Sequence, residues 1–177
     1  MAGCGSYSKI EGFGFIPVTC FSQALTTFIG QNLGAKEYDR AKKGALFGTI
    51  CGIGIAEVIG IAVFFFSPYL IAAFGGDQKA IEYGIAEAHT IALFYCLLAF
   101  SHCMAAIQRG AGRSIVPMFV MMLVWCGVRV TYISIVIRII PVINVIYWAY
   151  PLTWFISSVI FLILFLKTDW IHGLEKQ

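Results

Sequence analysis

Five ionisable side chains stand inside apolar surroundings in this chain: Glu57, Glu87, His89, His102 and Arg129. Charged groups away from water are costly to keep, so each is a candidate for work. A carboxyl in such a place can bind a metal cation or take up a proton. Glu57 falls near the middle of one apolar run and Glu87 near the outer end of another, which makes both candidate cation-coupling residues. Two blander readings compete. Glu57 and Arg129 can neutralise each other as structural glue, and Glu87 is expected to sit in water at an interface. Trp125, one helical turn before Arg129, offers the guanidinium a cation–π face. Histidine titrates near neutral pH. His89 and His102 nonetheless read first as hydrogen-bonding groups inside a core.

Other chemistry is excluded. The sequence has no HExxH, GxSxG or P-loop motif and no cluster of His and Cys with metal-ligand spacing. An enzyme active site of the soluble type therefore has no support, and neither a bound metal nor a cofactor is expected. The cysteines at 4, 20, 51, 96, 103 and 126 form no CxxC pair and read as small packing residues.

The elements that must hold these groups follow from composition. Of the 177 residues 60% are hydrophobic and 12% are charged, with a mean hydropathy of +0.87. Soluble domains carry about 25% charged residues. A chain this short cannot hide so much apolar surface in its own core, so lipid must solvate most of it. Strands are excluded because the apolar runs are long and do not alternate. The sequence predicts an all-α integral membrane protein with spans at about 13–33, 44–66, 87–108, 115–137 and 142–166. Pro68 is expected to end the second span, with Tyr69 to Phe74 as a short interfacial segment. Asp77 would cap the next helix. Pro151 is expected to kink the last span and free the carbonyl of Tyr147. Tyr147, Trp148, Tyr150, Trp154 and Trp170 read as an aromatic belt, or as part of a cavity wall.

The basic residues divide unevenly. Lys36, Arg40, Lys42, Lys43, Arg109, Arg113, Lys167 and Lys176 fall on one side, against Lys9, Lys79 and Arg138 on the other. The positive-inside rule then places the loops at 34–43 and 109–114, and the C-terminus, in the cytoplasm. The net charge of +3 is explained by this distribution and gives no sign of a nucleic-acid partner. Two further patterns concern packing. Gly30, Gln31, Asn32 and Gly34 mark an interfacial turn, where the amides can bond the last free carbonyls and Gly34 can take the left-handed conformation. Gly44, Gly48, Gly52, Ala56 and Gly60 recur every four residues, a stripe that lets two helix backbones approach closely. The stripe does not say whether its partner lies in this chain or another.

Several segments carry a resemblance. YSKIEGFGFIP, TTFIGQNLGAKEYDRAKKG, IQRGAGRSIVPMF, WCGVRVTYI and YPLTWFISS, in that order, resemble the C-terminal part of the multidrug and toxic compound extrusion (MATE) transporters. The resemblance implies twelve helices in two lobes, with the five spans here corresponding to helices eight to twelve. It implies export of small cationic drugs across the cell membrane in exchange for sodium or protons. The partners of this chain would then be membrane lipid, such drugs, and an N-terminal lobe missing from it. The chain alone would be a truncated, inactive piece. One branch of the family couples cations through acids in helices one, seven and ten. The segment resembling helix ten has no Asp, and its Glu87 matches no family motif. Two alternatives stand beside this reading: a lipid-linked oligosaccharide flippase or related exporter of similar architecture, and a non-transporting membrane scaffold assembled through the glycine stripe.

Overall fold

A computed structural model describes residues 2–73, 78–139 and 144–171. Those residues are helical or in short turns, with no strand among them. The helices are α1 (Ala2–Gly34), α2 (Tyr38–Ala73), α3 (Gln78–Ala92), α4 (Tyr95–Gly110), α5 (Ile115–Met121), a π-helical segment (Met122–Val128), α6 (Arg129–Ile139) and α7 (Asn144–Lys167). Four stretches are long and apolar enough to cross a membrane: Glu11–Gly34, Tyr38–Ala73, Ile115–Ile139 and Val145–Lys167. The pair α3 and α4 is long and apolar enough for a fifth if counted as one span, bent by 54° at its break. The span expected over 87–108 falls across this bend, which the sequence does not announce. Asp77, expected as a cap, lies outside the described residues, as do the first residues of the expected fifth span.

Pro68 does not end the second span, contrary to expectation: α2 continues through it to Ala73. Proline lacks the N–H that would bond the carbonyl four residues earlier, here that of Phe64. Two other donors take its place. The Ser67 hydroxyl donates to the Phe64 carbonyl at 3.2 Å, and Nε2 of His89 lies 3.1 Å from the same oxygen. The His89 ring also stacks on Phe64, with centroids 4.3 Å apart. His89 therefore serves the proline helix as a substitute donor, which requires the proton on Nε2. Pro151 lies inside α7, which continues to Lys167.

The small-residue stripe finds its partners within this chain. Gly48, Gly52, Ala56 and Gly60 are buried, while Phe47, Val58, Phe65 and Tyr69 of the same helix face outward. That is small residues inward and large apolar ones outward, the arrangement of a lipid-bathed helix. A Cβ at Gly44 would overlap the Phe28 ring of α1. One at Gly48 would lie 2.6 Å from Leu25, and one at Gly52 would lie 2.7 Å from Cys103 of α4. At Gly60 it would meet the backbone carbonyl of Ala92 at 2.5 Å. The scaffold reading thus loses its basis, because the surface it needs is already occupied.

The two turns that join α1 to α2 and α4 to α5 share one geometry. After α1, the N–H of Glu37 donates to the Asn32 carbonyl at 2.8 Å and that of Lys36 to Leu33 at 3.0 Å. After α4, the N–H of Arg113 donates to Gln108 at 2.9 Å and that of Gly112 to Arg109 at 3.0 Å. Both are Schellman caps, which place one residue in the left-handed region. In the second that residue is Gly112, at φ 80°. In the first it is Lys36, at φ 60°, and not Gly34 as the sequence suggests. A side chain there is strained by about 1 kcal/mol. Lys36→Gly is therefore expected to raise stability slightly, and Gly112→Ala to lower it by about 1 kcal/mol. Thermal unfolding of both variants in detergent checks the opposite signs.

The three basic connections gather at one end of the bundle. Arg113 donates through Nη2 to the Asp169 carbonyl at 3.0 Å, tying the α4–α5 turn to the segment after α7. Ile171 shares a surface hollow with Lys36, Tyr38 and Lys42. Among the described residues, Lys36, Lys42 and Arg113 of the basic side thus lie together, beside the segment after α7.

Candidate functional site

Glu11 and Arg129 line one cleft of about 260 Å³. Glu11, Gly12 and Phe15 reach it from α1, and Leu98 from α4. Trp125 comes from the π-helical segment, Arg129 from the start of α6, and Tyr150 and Trp154 from α7. Half of these lining residues are aromatic, and two, Glu11 and Arg129, are ionisable.

Arg129 is held from α7 and from the π-helical segment just before it. Its guanidinium lies 4.3 Å from the Tyr150 ring centroid and 5.7 Å from that of Trp125. Nη2 donates to the Thr153 hydroxyl at 2.8 Å. These contacts offset the desolvation of a cation inside the span. The expected Trp125 face is used, and Tyr150 lies closer still. The expected alternative partner is not: Glu57 and Arg129 form no ion pair among the described residues. The carboxylate that acts on Arg129 is Glu11, near enough for the two charges to attract. Sequence reasoning missed Glu11, because it precedes the clearly apolar part of the first run. Its signal was the helical phase: Glu11 and Phe15 are one turn apart and line the same cleft.

The other candidates lie elsewhere. His102 is buried on α4, edge-on to Phe15 at 5.0 Å and to Trp125 at 5.4 Å. It backs the cleft wall, and its Nε2 has no hydrogen-bond partner among the described residues. Glu57 lies on α2 against the Cys96 thiol of α4, with one buried carboxyl oxygen, Oε2, unpartnered. Glu87 is only 4% exposed on α3, which corrects its expected place in water at an interface. His89 is occupied by the Phe64 carbonyl. The carboxyls do not come together with the histidines, and no metal-binding group of His, Cys, Asp or Glu occurs among the described residues.

Gly30 and Asn32 serve packing and capping. The Asn32 amide donates to the Phe28 carbonyl at 2.7 Å, one turn back inside α1 and not to one of the last free carbonyls, and Gln31 faces outward. Gly30 faces the carbonyl of Gly110, and a Cβ at Gly110 would lie 2.7 Å from the Thr26 carbonyl. The GQN and RGAG motifs therefore touch where α1 crosses α4. Of the expected aromatic belt, Tyr147, Trp154 and Trp170 are buried and Trp148 is exposed.

This arrangement of motifs can be placed among known proteins. The MatE family model matches residues 1–135. The chain belongs to the MatE family. It is 28% identical over 126 residues to the "Probable multidrug resistance protein NorM" of Thermotoga maritima. That alignment covers 68% of this chain and 27% of the relative, so the chain spans about a quarter of that protein's length. MatE membership and the apolar helices make this a membrane protein. The GQN turn, the RGAG turn and the cleft residues up to Arg129 all fall within the matched region.

Proposed function

We propose that this chain forms part of the C-terminal lobe of a multidrug efflux transporter, exporting organic cations and drugs by antiport with sodium or protons. The observation that carries the reading is the cleft. A bundle whose outer surface is apolar holds one concave site with opposite charges and four aromatic walls. Such a site suits amphipathic aromatic molecules. The relative's printed name, a multidrug resistance protein, supports the same direction. In a two-lobe transporter, rocking of one lobe against the other opens the intervening cavity to each side in turn. The basic face would lie in the cytoplasm, with the C-terminal segment beside it.

The coupling-ion candidates are Glu57 and Glu87. The Glu87 carboxyl is buried and Glu57 is half-buried with its Oε2 enclosed, so a cation or proton would stabilise either. In the assembled transporter, Glu57→Gln or Glu87→Gln should bring ion-gradient-driven ethidium efflux down to background. Proteoliposomes with imposed sodium or proton gradients measure it. Full gradient-driven efflux in both variants would remove both residues from coupling.

A further inference from the structure

A hollow of about 430 Å³ opens between α2 and α7, both of which pack on α4. Leu46 and Thr49 line it from α2, Met104 and Ile107 from α4, and Phe165 and Trp170 from α7 and the segment after it. Trp170 stacks on Phe165 with ring centroids 5.4 Å apart, so one wall is aromatic carbon. The Thr49 hydroxyl already donates to the Ala45 carbonyl at 2.7 Å. Lys42 is the one charged residue of the lining, and it stands near the start of the apolar stretch Tyr38–Ala73. From Lys42 to Thr49 is about 10 Å of helix, so the hollow reaches that far from the end of the span toward its middle.

A second hollow, of about 340 Å³, adjoins the first and shares Lys42 and Ile171 with it. Its character is opposite. Lys36, Glu37, Asp39 and Lys42 line it, all four exposed, which sets two cations beside two carboxylates. The nearby cations are engaged elsewhere. Arg40 lies over the Phe28 ring at 6.0 Å, Arg113 donates to the Asp169 carbonyl, and Lys43 lines neither hollow. An occupant of both hollows therefore has an apolar end about 10 Å long joined to a head that bears both charges. A phosphate accepts from lysine, and a primary ammonium donates to carboxylates. A quaternary ammonium has no N–H to give, and a purely anionic head is repelled by Glu37 and Asp39.

We infer that the two hollows form a site for phosphatidylethanolamine, with an acyl chain between α2 and α7, its phosphate on Lys42 and Lys36, and its ammonium toward Glu37 and Asp39. The site shares no residue with the aromatic cleft and goes beyond the transport reading.

The test is lipid binding to the purified 177-residue chain, read by native mass spectrometry. Phosphatidylethanolamine, phosphatidylcholine and phosphatidylglycerol with the same acyl chains are titrated in turn. Phosphatidylethanolamine is expected to fill one saturable site about tenfold or more tighter than either of the others. Glycerophosphoethanolamine, the same head without chains, should not displace it. Lys42→Gln should weaken the binding, while Lys43→Gln, the next residue but outside both hollows, should not. Glu37→Gln combined with Asp39→Asn should erase the preference for phosphatidylethanolamine. Leu46→Trp, at an exposed position lining the apolar hollow, should exclude the acyl chain while every charge stays in place. Equal binding of the three lipids to the unaltered chain, or tighter binding of either of the other two, overturns the site without reliance on any variant folding. So does a lipid-free dimer as the main species, which would put a second copy in the hollow. Loss of the lipid from the assembled transporter, which would put another helix there, overturns it as well.

Discussion

Replacing Gly60 with leucine should leave almost no folded protein, whereas the same change at Gly54, six residues away on the same helix, should be tolerated. The difference is what each position faces. A Cβ at Gly60 would stand 2.5 Å from the Ala92 carbonyl oxygen, at the break between α3 and α4. That atom is backbone and cannot rotate aside, so the two helices would have to separate. Even Gly60→Ala should cost about 1–3 kcal/mol, the usual range for overpacking a tight site. At Gly54 nothing lies within 4 Å. There alanine should help by up to about 1 kcal/mol, because it restricts the helix backbone that glycine leaves free. The monodisperse fraction after extraction, followed by size exclusion, reads the leucine pair. Thermal midpoints read the alanine pair. Equal midpoints for Gly60→Ala and Gly54→Ala would remove the close approach from the account.

Expressed by itself in a strain stripped of its own efflux pumps, the chain should raise no inhibitory concentration for any cationic drug. This follows from the proposed function. Alternating access needs two bodies that move against each other around a site. The cleft here is built on α1, α4, the π-helical segment, α6 and α7, which pack together in one bundle. Nothing in that bundle opposes it across a gap. Ethidium retention in whole cells measures the outcome, with the assembled transporter as the positive control. Resistance or gradient-driven efflux from this chain alone would refute the lobe assignment and return the transport cycle to these helices.

Much of the architecture was legible because it depends on average properties. Long apolar runs fix helices in lipid, and the four-residue recurrence from Gly44 to Gly60 shows in one line of sequence. What escaped depends on contacts between distant segments. Pro68 read as a break because a local rule counts the lost N–H. The rule could not see His89, 21 positions on, supplying another. The bend at Leu93 and Phe94 has no proline or glycine to announce it. Its carbonyl end rests in the gap left by Gly60. Lys36 in the left-handed position defies the preference that pointed to Gly34, because the cap is set by which carbonyls need partners. Of the site, Arg129 and its aromatic neighbour Trp125 stood out, since a cation in an apolar run is conspicuous. Glu11 did not, because it lies in the more polar start of its helix and its partner is 118 positions away in the sequence.

The π-helical segment has a consequence for how this chain compares with its kin. A π turn is how an α-helix accommodates one surplus residue while the flanking turns keep their faces. Between Met122 and Val128 the chain therefore holds a residue that a regular helix would not need. A relative with one residue fewer here could keep Pro117 buried and Arg129 on Thr153 as they are now. The same deletion a few positions later, inside α6, would turn everything beyond it by about 100°. Natural length variation in this span should therefore concentrate in these seven residues. An aligner that places the gap elsewhere would pair Arg129 with the wrong column.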